Sequence, residues 1–444
     1  MINFFRSNLN EKNLGLILIG LGLIVLASSL NFEIVGDGAV RFSAISELVE
    51  QNQISPTKYS LVSSIFSIPF YWIGFFYKSP IFWCARYNYF IFIIGLIFSY
   101  KILSNFLDRG ILIKFVLLLI IGSMFPHHLR HYYGEVFTTI FVFVGILGVT
   151  LIQTIWMWMF LILGIVNTPA TIMGFTLVVL ERIWTNKRLR YCLYLALTIF
   201  IIILESWIRR GNPLVSGYEG EHGYKTVLPY SGKPGFSYPF LFGLISILFS
   251  FGKGVFFYAP GLFLSVKPYN SIIHPSVYKS YRLWLYFLAG LVVVYARWWA
   301  WYGGVFWGPR FFLFASIPAS FSVALCLHYK SKHTLSNLLT LIVLIWSIWV
   351  GVSGAVFGEA NMGICFENNY QLEFLCWYVP EFSALLRPFV EPVNLEARHI
   401  KIVVYGIAVF IYLGFPILKL IINQIIFTLK HNQREYLKFK DWKF

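Results

Sequence analysis

Charge is what this 444-residue chain has least of: Asp, Glu, Lys and Arg make up 12% of it, where soluble domains carry roughly a quarter. Acids are scarcer still, 19 against 35 Lys and Arg. So little charge excludes a soluble enzyme, a solenoid and a disordered chain. Five cysteines exclude a disulfide-held secreted scaffold. The apolar runs do not alternate with polar residues, which excludes a transmembrane β-barrel. No GxxxxGK[ST] occurs, hence no nucleotide P-loop. No repeat of fixed period stands out, which weakens a transporter of inverted repeats. The net charge of +16 lacks the Lys/Arg-rich, aromatic-interleaved soluble segment of a nucleic-acid face, so nucleic acid is not an expected partner.

What is present is apolar: 58% of residues, 20% aromatic, with a mean hydropathy of +0.71. That surplus must face lipid, and at roughly 20 residues per crossing it suffices for about a dozen helices. Windows of spanning length fall near residues 14–31, 87–104, 111–126, 136–153, 155–168, 170–184, 191–207, 254–267, 283–297, 311–328, 335–352 and 400–420. The expectation is an all-α polytopic bundle, one membrane domain over residues 1–444. MINFFRSNLNEKN precedes the first run, with no small-residue cleavage site after it, and reads as the start of a retained span. Residues 59–83 are apolar but broken by Pro69 and Pro80, and read as interfacial helices.

An even count of spans with an inner N-terminus puts both termini in the cytoplasm. Sorting the charges on that scheme leaves five acids inside, Glu11, Asp108, Glu181, Glu435 and Asp441, and the other 14 outside. Nearly all the positive excess is then cytoplasmic, including a basic tail over residues 421–444. Three external segments exceed simple turns: residues 32–86, 208–253 and 353–399. Function is expected there.

The first external segment carries Gly36-Asp37-Gly38 ahead of an amphipathic stretch with Val40, Ala44, Ile45 and Leu48 at helical spacing. Asp37 fits a helix cap or, between two glycines at the water–lipid boundary, an accessible base. The next external turn, Phe125 to Glu135, contains His127, His128 and His131; their spacing matches no zinc pattern, and no metal ligand set is assigned. Glu135 opens a membrane helix, where an acid is costly unless it is paired, used or capping. Seven glycines lie between Gly211 and Gly243, a loop suited to close approach by a ligand, with Glu219 and Glu221 inside it. Lys253, between Gly252 and Gly254, suits a phosphate contact or interfacial snorkelling. The densest segment is Tyr295 to Arg310, with Trp298, Trp299, Trp301, Gly303, Gly304, Gly308 and Pro309. An aromatic belt accounts for part of it, and Arg310 suits a phosphate-gripping fork. Cys365 and Cys376 share the last external segment, with a disulfide left open.

An acid in the first external loop, interfacial helices, a second acid in the next external turn and a dozen spans together resemble the integral-membrane glycosyltransferases of the GT-C type. These include the protein O-mannosyltransferases and the lipid A aminoarabinose transferases. NPLVSGYEGE, SFGKGVFFYAPG and WWAWYGGVFWGPRF resemble a bacterial family 39-like branch. The resemblance implies a GT-C fold in the bacterial cytoplasmic membrane. It also implies inverting transfer of a sugar from a polyprenyl-phosphate donor to a glycan, lipid or protein acceptor on the external face. It makes Asp37 the general base and Glu135 the second-loop acid. Arg310 and Lys253 then bind the donor phosphate, and Tyr59, Tyr133, Glu219, Glu221, Trp299 and Trp301 shape the pocket. No cofactor is implied beyond the donor, and a divalent metal is left open. Two features depart from the family: its YPPG-like stretch is here Pro56-Thr57-Lys58-Tyr59, and a large external C-terminal domain is absent. The alternatives are a flippase or transporter, or a polymerase, of lipid-linked saccharides. A transporter calls for ionisable pairs or broken helices near the midplane; Arg209-Arg210 suits a polymerase.

Overall fold

The computed structural model describes residues 11–264, 266, 273–358 and 362–441. Residues 1–10, 359–361 and 442–444 and the side chains of Glu11, Glu435 and Asp441 lie outside the described residues, as does part of the expected 254–267 span. The regular structure of the described residues is helical, with two isolated bridges and no strand.

The principal helices are α1 (Glu11–Ser29), α2 (Asp37–Glu50), α3 (Tyr87–Leu103), α4 (Arg109–Ile121), α5 (Glu135–Leu147), α6 (Ile155–Asn167), α7 (Ile172–Asn186), α8 (Cys192–Arg210), α9 (Phe240–Phe249), α10 (Pro275–Tyr295), α11 (Ser316–His328), α12 (Thr334–Val356) and α13 (Ala397–Asp441). Among the described residues, seven helical stretches are long and apolar enough to cross a membrane: Lys12–Ser29, Glu135–Ile152, Leu189–Arg210, Pro275–Tyr295, Arg310–His328, Thr334–Val356 and Ala397–Lys430. Tyr87–Leu103, Ile155–Asn167 and Phe240–Phe249 are apolar but shorter. Helices α4 and α7 have 13 and 15 residues.

Helix α5 is the axis of the bundle. Every residue from Val136 to Leu147 is buried, as expected of a helix apolar on all faces, and it packs against α3, α6 and α10. Helices α7 and α10 touch backbone to backbone: a Cβ on Gly290 would lie 2.4 Å from the Cα of Gly174. Small residues permit such close contact where lipid gives helices no hydrophobic reason to associate. Helix α8 is the opposite case, with only 17% of its apolar stretch covered by protein.

Charges mark two ends. Lys12 meets Asp108 at 3.4 Å and Lys279 meets Glu181 at 3.8 Å at one end. At the other, Glu33 approaches Arg130, and Arg310 joins Asp37 to Glu135.

Two expectations are corrected. The apolar run 254–267 is not a single helix. It breaks into Val255–Tyr258 and a 3-10 turn at Pro260–Phe263, because Pro260 lacks an N–H and pushes Ala259 out of helical geometry (φ −135°, ψ 60°). The segment 208–253 is not all loop either: α8 runs to Arg210, and α9 supplies an apolar helix with Phe240, Leu241, Phe242 and Ile245 exposed. The expected interfacial region contains short helices Val62–Phe66, Ile68–Phe76 and Pro80–Ala85.

Candidate active site

Asp37 is delivered by a turn only glycine makes easily. Gly36 holds φ 52°, ψ −127°, and a Cβ there would lie 3.2 Å from the Tyr133 hydroxyl. Helix α2 has no side-chain cap, so Asp37 is not capping it. Its carboxylate instead accepts hydrogen bonds from Arg310 and Tyr59. Burial alone would raise its pKa; Arg310, the Tyr59 hydroxyl and Arg41 outweigh that and hold it below the ordinary Asp value. The same contacts push the Tyr59 phenol upward, with burial the largest cause. One turn on, Arg41 is buried, lies 4.8 Å from the Tyr59 ring and donates to the Ser60 carbonyl at 3.1 Å.

The turn before α5 is tied down from three sides. Glu33 N–H donates to the Arg130 carbonyl at 2.9 Å, stitching the segment after α1 to the histidine turn. Buried Asn88 donates to the carbonyls of His131 (2.7 Å) and Tyr133 (2.8 Å). Buried Asn167 donates to the Gly134 carbonyl and accepts from Ser63 N–H. Glu135 is thereby fixed at the head of α5, and its Oε1 lies 3.1 Å from Arg310 Nε.

Arg310 bridges the two acids. It sits at 13% side-chain exposure, with Tyr133, Phe306 and Phe311 rings around its guanidinium at 5.1–5.6 Å. The loop that brings it there turns on Gly303, Gly304 and Gly308, all at φ between 70° and 78°. Lys253 anchors that loop, donating to the carbonyls of Gly304 (2.9 Å), Phe306 (2.6 Å) and Gly308 (3.2 Å).

These groups head a cavity of about 1420 Å³. Its polar head is lined by Asp37, Glu135, Arg310, Arg41, Tyr59, Lys58 and Glu221. Its flank runs between α7, α8 and α10 and is apolar, with Ile172, Leu195, Ile199, Ile202, Phe287 and Leu291. The outer wall is aromatic, with Trp298, Trp299, Tyr224, Tyr302 and Tyr370. Arg209 and Arg210 line it too. Arg209 pairs with Glu205 at 3.0 Å, and Arg209 and Arg210 each donate to the Thr57 carbonyl.

Asp37, Glu135, Arg310, Tyr59, Glu221 and Trp299 therefore line one cavity as the sequence suggests, and four expected residues do not line it. Lys253 is 1% exposed and lines no part of the cavity; three loop carbonyls engage its ammonium, so it does not serve as a phosphate ligand. Trp301 is 1% exposed, packed against Trp377, Tyr238 and Tyr302, and does not reach the cavity wall to which Trp299 belongs. Glu219 is exposed, and its carboxylate closes its own turn on Ser216 N–H (2.7 Å) and Gly217 N–H (2.8 Å). Those bonds hold its pKa down to about 2. Tyr133 backs Arg310 without lining the cavity.

The three histidines are structural. His127 Nδ1 bonds the Gly354 carbonyl and His128 Nδ1 the Met124 carbonyl, both at 3.0 Å, and Phe306 packs on all three rings. Burial pushes His128 down to about 3, so it carries no charge near neutrality. Among the described residues no group of three His, Cys, Asp or Glu side chains is placed to hold a metal.

Sequence reasoning missed Arg41, Asn88, Asn167 and Glu373. Helical spacing from Asp37 was a usable signal for Arg41 alone. Glu373 lines the cavity from the irregular segment between α12 and α13, in a loop that a Cys365–Cys376 disulfide closes (Cα–Cα 6.2 Å). Burial lifts its pKa to about 7, against the pull of Lys253 and a Tyr302 hydrogen bond.

No family model, curated protein or solved structure matches the chain.

Proposed function

We propose that the protein is a membrane glycosyltransferase that takes a sugar from a polyprenyl-phosphate carrier. One observation carries this: a base, a second acid and a guanidinium fork sit together at the head of a cavity whose flank is an apolar channel between α7, α8 and α10. A donor with a charged head and a long apolar tail matches both halves. The resemblance in the loop stretches points the same way.

On this proposal Arg310 turns from Asp37 to the donor phosphate and holds it as negative charge builds on the leaving oxygen. The acceptor hydroxyl oxygen attacks the anomeric carbon from the face opposite the phosphate. A new C–O bond forms, the bond to the phosphate oxygen breaks with its electron pair, and the hydroxyl proton passes to the Asp37 carboxylate. A phosphate leaves as an anion, so a second carboxylic acid is not needed to protonate it. Glu135 keeps Arg310 aligned when Asp37 lets go. The product is inverted. With twelve crossings, α9 and the broken 255–263 segment together complete the one that the sequence places at 254–267, and Asp37 faces the periplasm with both termini cytoplasmic.

The test is to incubate purified protein with a panel of polyprenyl-phosphate sugars and measure carrier release, comparing wild type with Asp37→Asn. Release that depends on Asp37 is expected. A folded Asp37→Asn protein with full turnover would remove Asp37 as the base, and no release with any donor would overturn the proposal.

A further inference from the structure

A second cavity lies at the opposite end of α7 and α8 from Asp37, and its chemistry is different. It holds about 250 Å³ and is lined by Arg182, Arg188 and Arg190, with Gln153, Asn186 and Tyr191 between them. Among the described residues no carboxylate lines it. Glu181, beside Arg182 in sequence, is directed to Lys279 at 3.8 Å and to the Thr185 hydroxyl at 2.9 Å. Three arginines thus line one small space with no carboxylate in its wall; the guanidinium carbons of Arg182 and Arg190 lie 5.9 and 5.7 Å from the Tyr191 ring, both groups hydrogen-bond its hydroxyl, and an entering anion would relieve the repulsion between like charges gathered there.

Arg182 is the informative member. It is 3% exposed, and its Nε, closed to solvent, meets no hydrogen-bond acceptor among the described residues. A buried N–H of a charged group without an acceptor carries a standing desolvation cost that a bound oxyanion removes. The backbone is shaped around the space. Helix α5 ends in a π turn, Gly148–Ile152, and Gln153 takes φ 62°; facing it, Lys187 at φ 52° ends α7, and a 3-10 turn, Leu189–Tyr191, leads into α8. Single π turns recur at functional sites. Asn186 donates to the Tyr191 hydroxyl at 2.8 Å and braces the second turn.

The surroundings are those of a membrane surface. Trp156, Trp184, Leu189 and Leu193 are each between 69% and 77% exposed. A group held by the arginines would have acyl chains beside it.

We infer that this cavity is a phosphate-binding site, taking the headgroup of an anionic phospholipid or a free phosphate compound through its guanidinium forks. It is independent of the chemistry proposed for Asp37.

The test uses the full chain in neutral detergent, titrated separately with phosphatidylglycerol, phosphatidylcholine and inorganic phosphate, with bound lipid read by native mass spectrometry and phosphate by thermal shift. Phosphatidylglycerol should bind at least tenfold more tightly than phosphatidylcholine. The Arg188→Gln/Arg190→Gln protein, changed only at exposed positions, should lose about tenfold in that affinity, and Arg182→Gln at least as much. Lys330→Gln/Lys332→Gln, removing two exposed cations elsewhere, should change nothing. Displacement of the lipid by inorganic phosphate supports headgroup recognition. Phosphate binding without lipid preference also supports the site and makes the source soluble. Binding of neither, or wild-type affinity for both in Arg188→Gln/Arg190→Gln, overturns the inference.

Discussion

Asp37 and Arg310, 273 residues apart in the chain, meet as an ion pair at the polar head of the large cavity, and Glu135 Oε1 lies 3.1 Å from Nε of the same guanidinium. Neither acid can be changed without altering what Arg310 does. Asp37→Asn should fold and lose transfer by at least about 10²-fold, the usual worth of a positioned base. Arg310→Gln leaves two partly buried carboxylates facing each other and should destabilise by on the order of 3 kcal/mol. Removing one of those charges in Asp37→Asn/Arg310→Gln should recover part of that loss. Thermal unfolding of the four proteins in detergent closes the cycle, and simple additivity would mean that the pair is not coupled.

Lys253 should behave as a loop anchor. Its three carbonyl contacts are charge-assisted hydrogen bonds to a buried loop, so Lys253→Met should cost about 2 kcal/mol or more. Amide exchange at residues 303–308 should accelerate in that variant. Unchanged exchange with weakened donor binding would return Lys253 to the role of phosphate ligand.

Glu373 and Asp37 are shifted in opposite directions and predict opposite pH effects. Glu373 is lifted from 4.5 to about 7, so the folded protein binds the proton more tightly than the unfolded chain, and stability falls as pH rises from about 4.5 to about 7. Glu373→Gln should flatten that slope in a series of melting temperatures. The lowered Asp37 contributes stability that is present above its ordinary value of 3.8 and is lost as pH falls through its folded one. Asp37→Asn should lack that acid loss. A Glu373→Gln protein with the wild-type slope between pH 4.5 and 7 would place the titration elsewhere.

The apolar flank makes a separate prediction. Ile202→Trp narrows the channel between α8 and α10. The KM for a long-chain donor should rise several-fold with a smaller effect on kcat, while a donor analogue with a short chain should be little affected. Equal losses for both would mean that the tail does not lie there.

Much of the polar head was legible because the chemistry is local. An acid opening a membrane helix is expensive, so Glu135 stood out; Asp37 stood out between two glycines just past the first span, and Arg310 followed a Gly-Pro pair at the start of a span. The aromatic wall was not legible to the residue. Trp299 and Trp301 are two positions apart in a turn, and one lines the cavity while the other is buried and does not reach it. Composition does not say which. Lys253 misled for a related reason: glycines on both sides suggest an exposed phosphate contact, but the carbonyls that converge on it lie about 50 residues further along. Glu373 reaches the cavity only through the folding of an irregular segment with no periodicity to read. The break at Ala259-Pro260-Gly261 was visible in the residues themselves, and the count of apolar residues overrode it.

Helix α8 exposes most of its apolar stretch, and one wall of the large cavity is made of it. On the proposed function, a carrier that slips in beside so loosely held a helix arrives by diffusing in two dimensions. For such an enzyme the relevant abundance of donor is its mole fraction in the bilayer, and diluting the carrier with inert lipid should slow turnover even when its total amount per volume is unchanged.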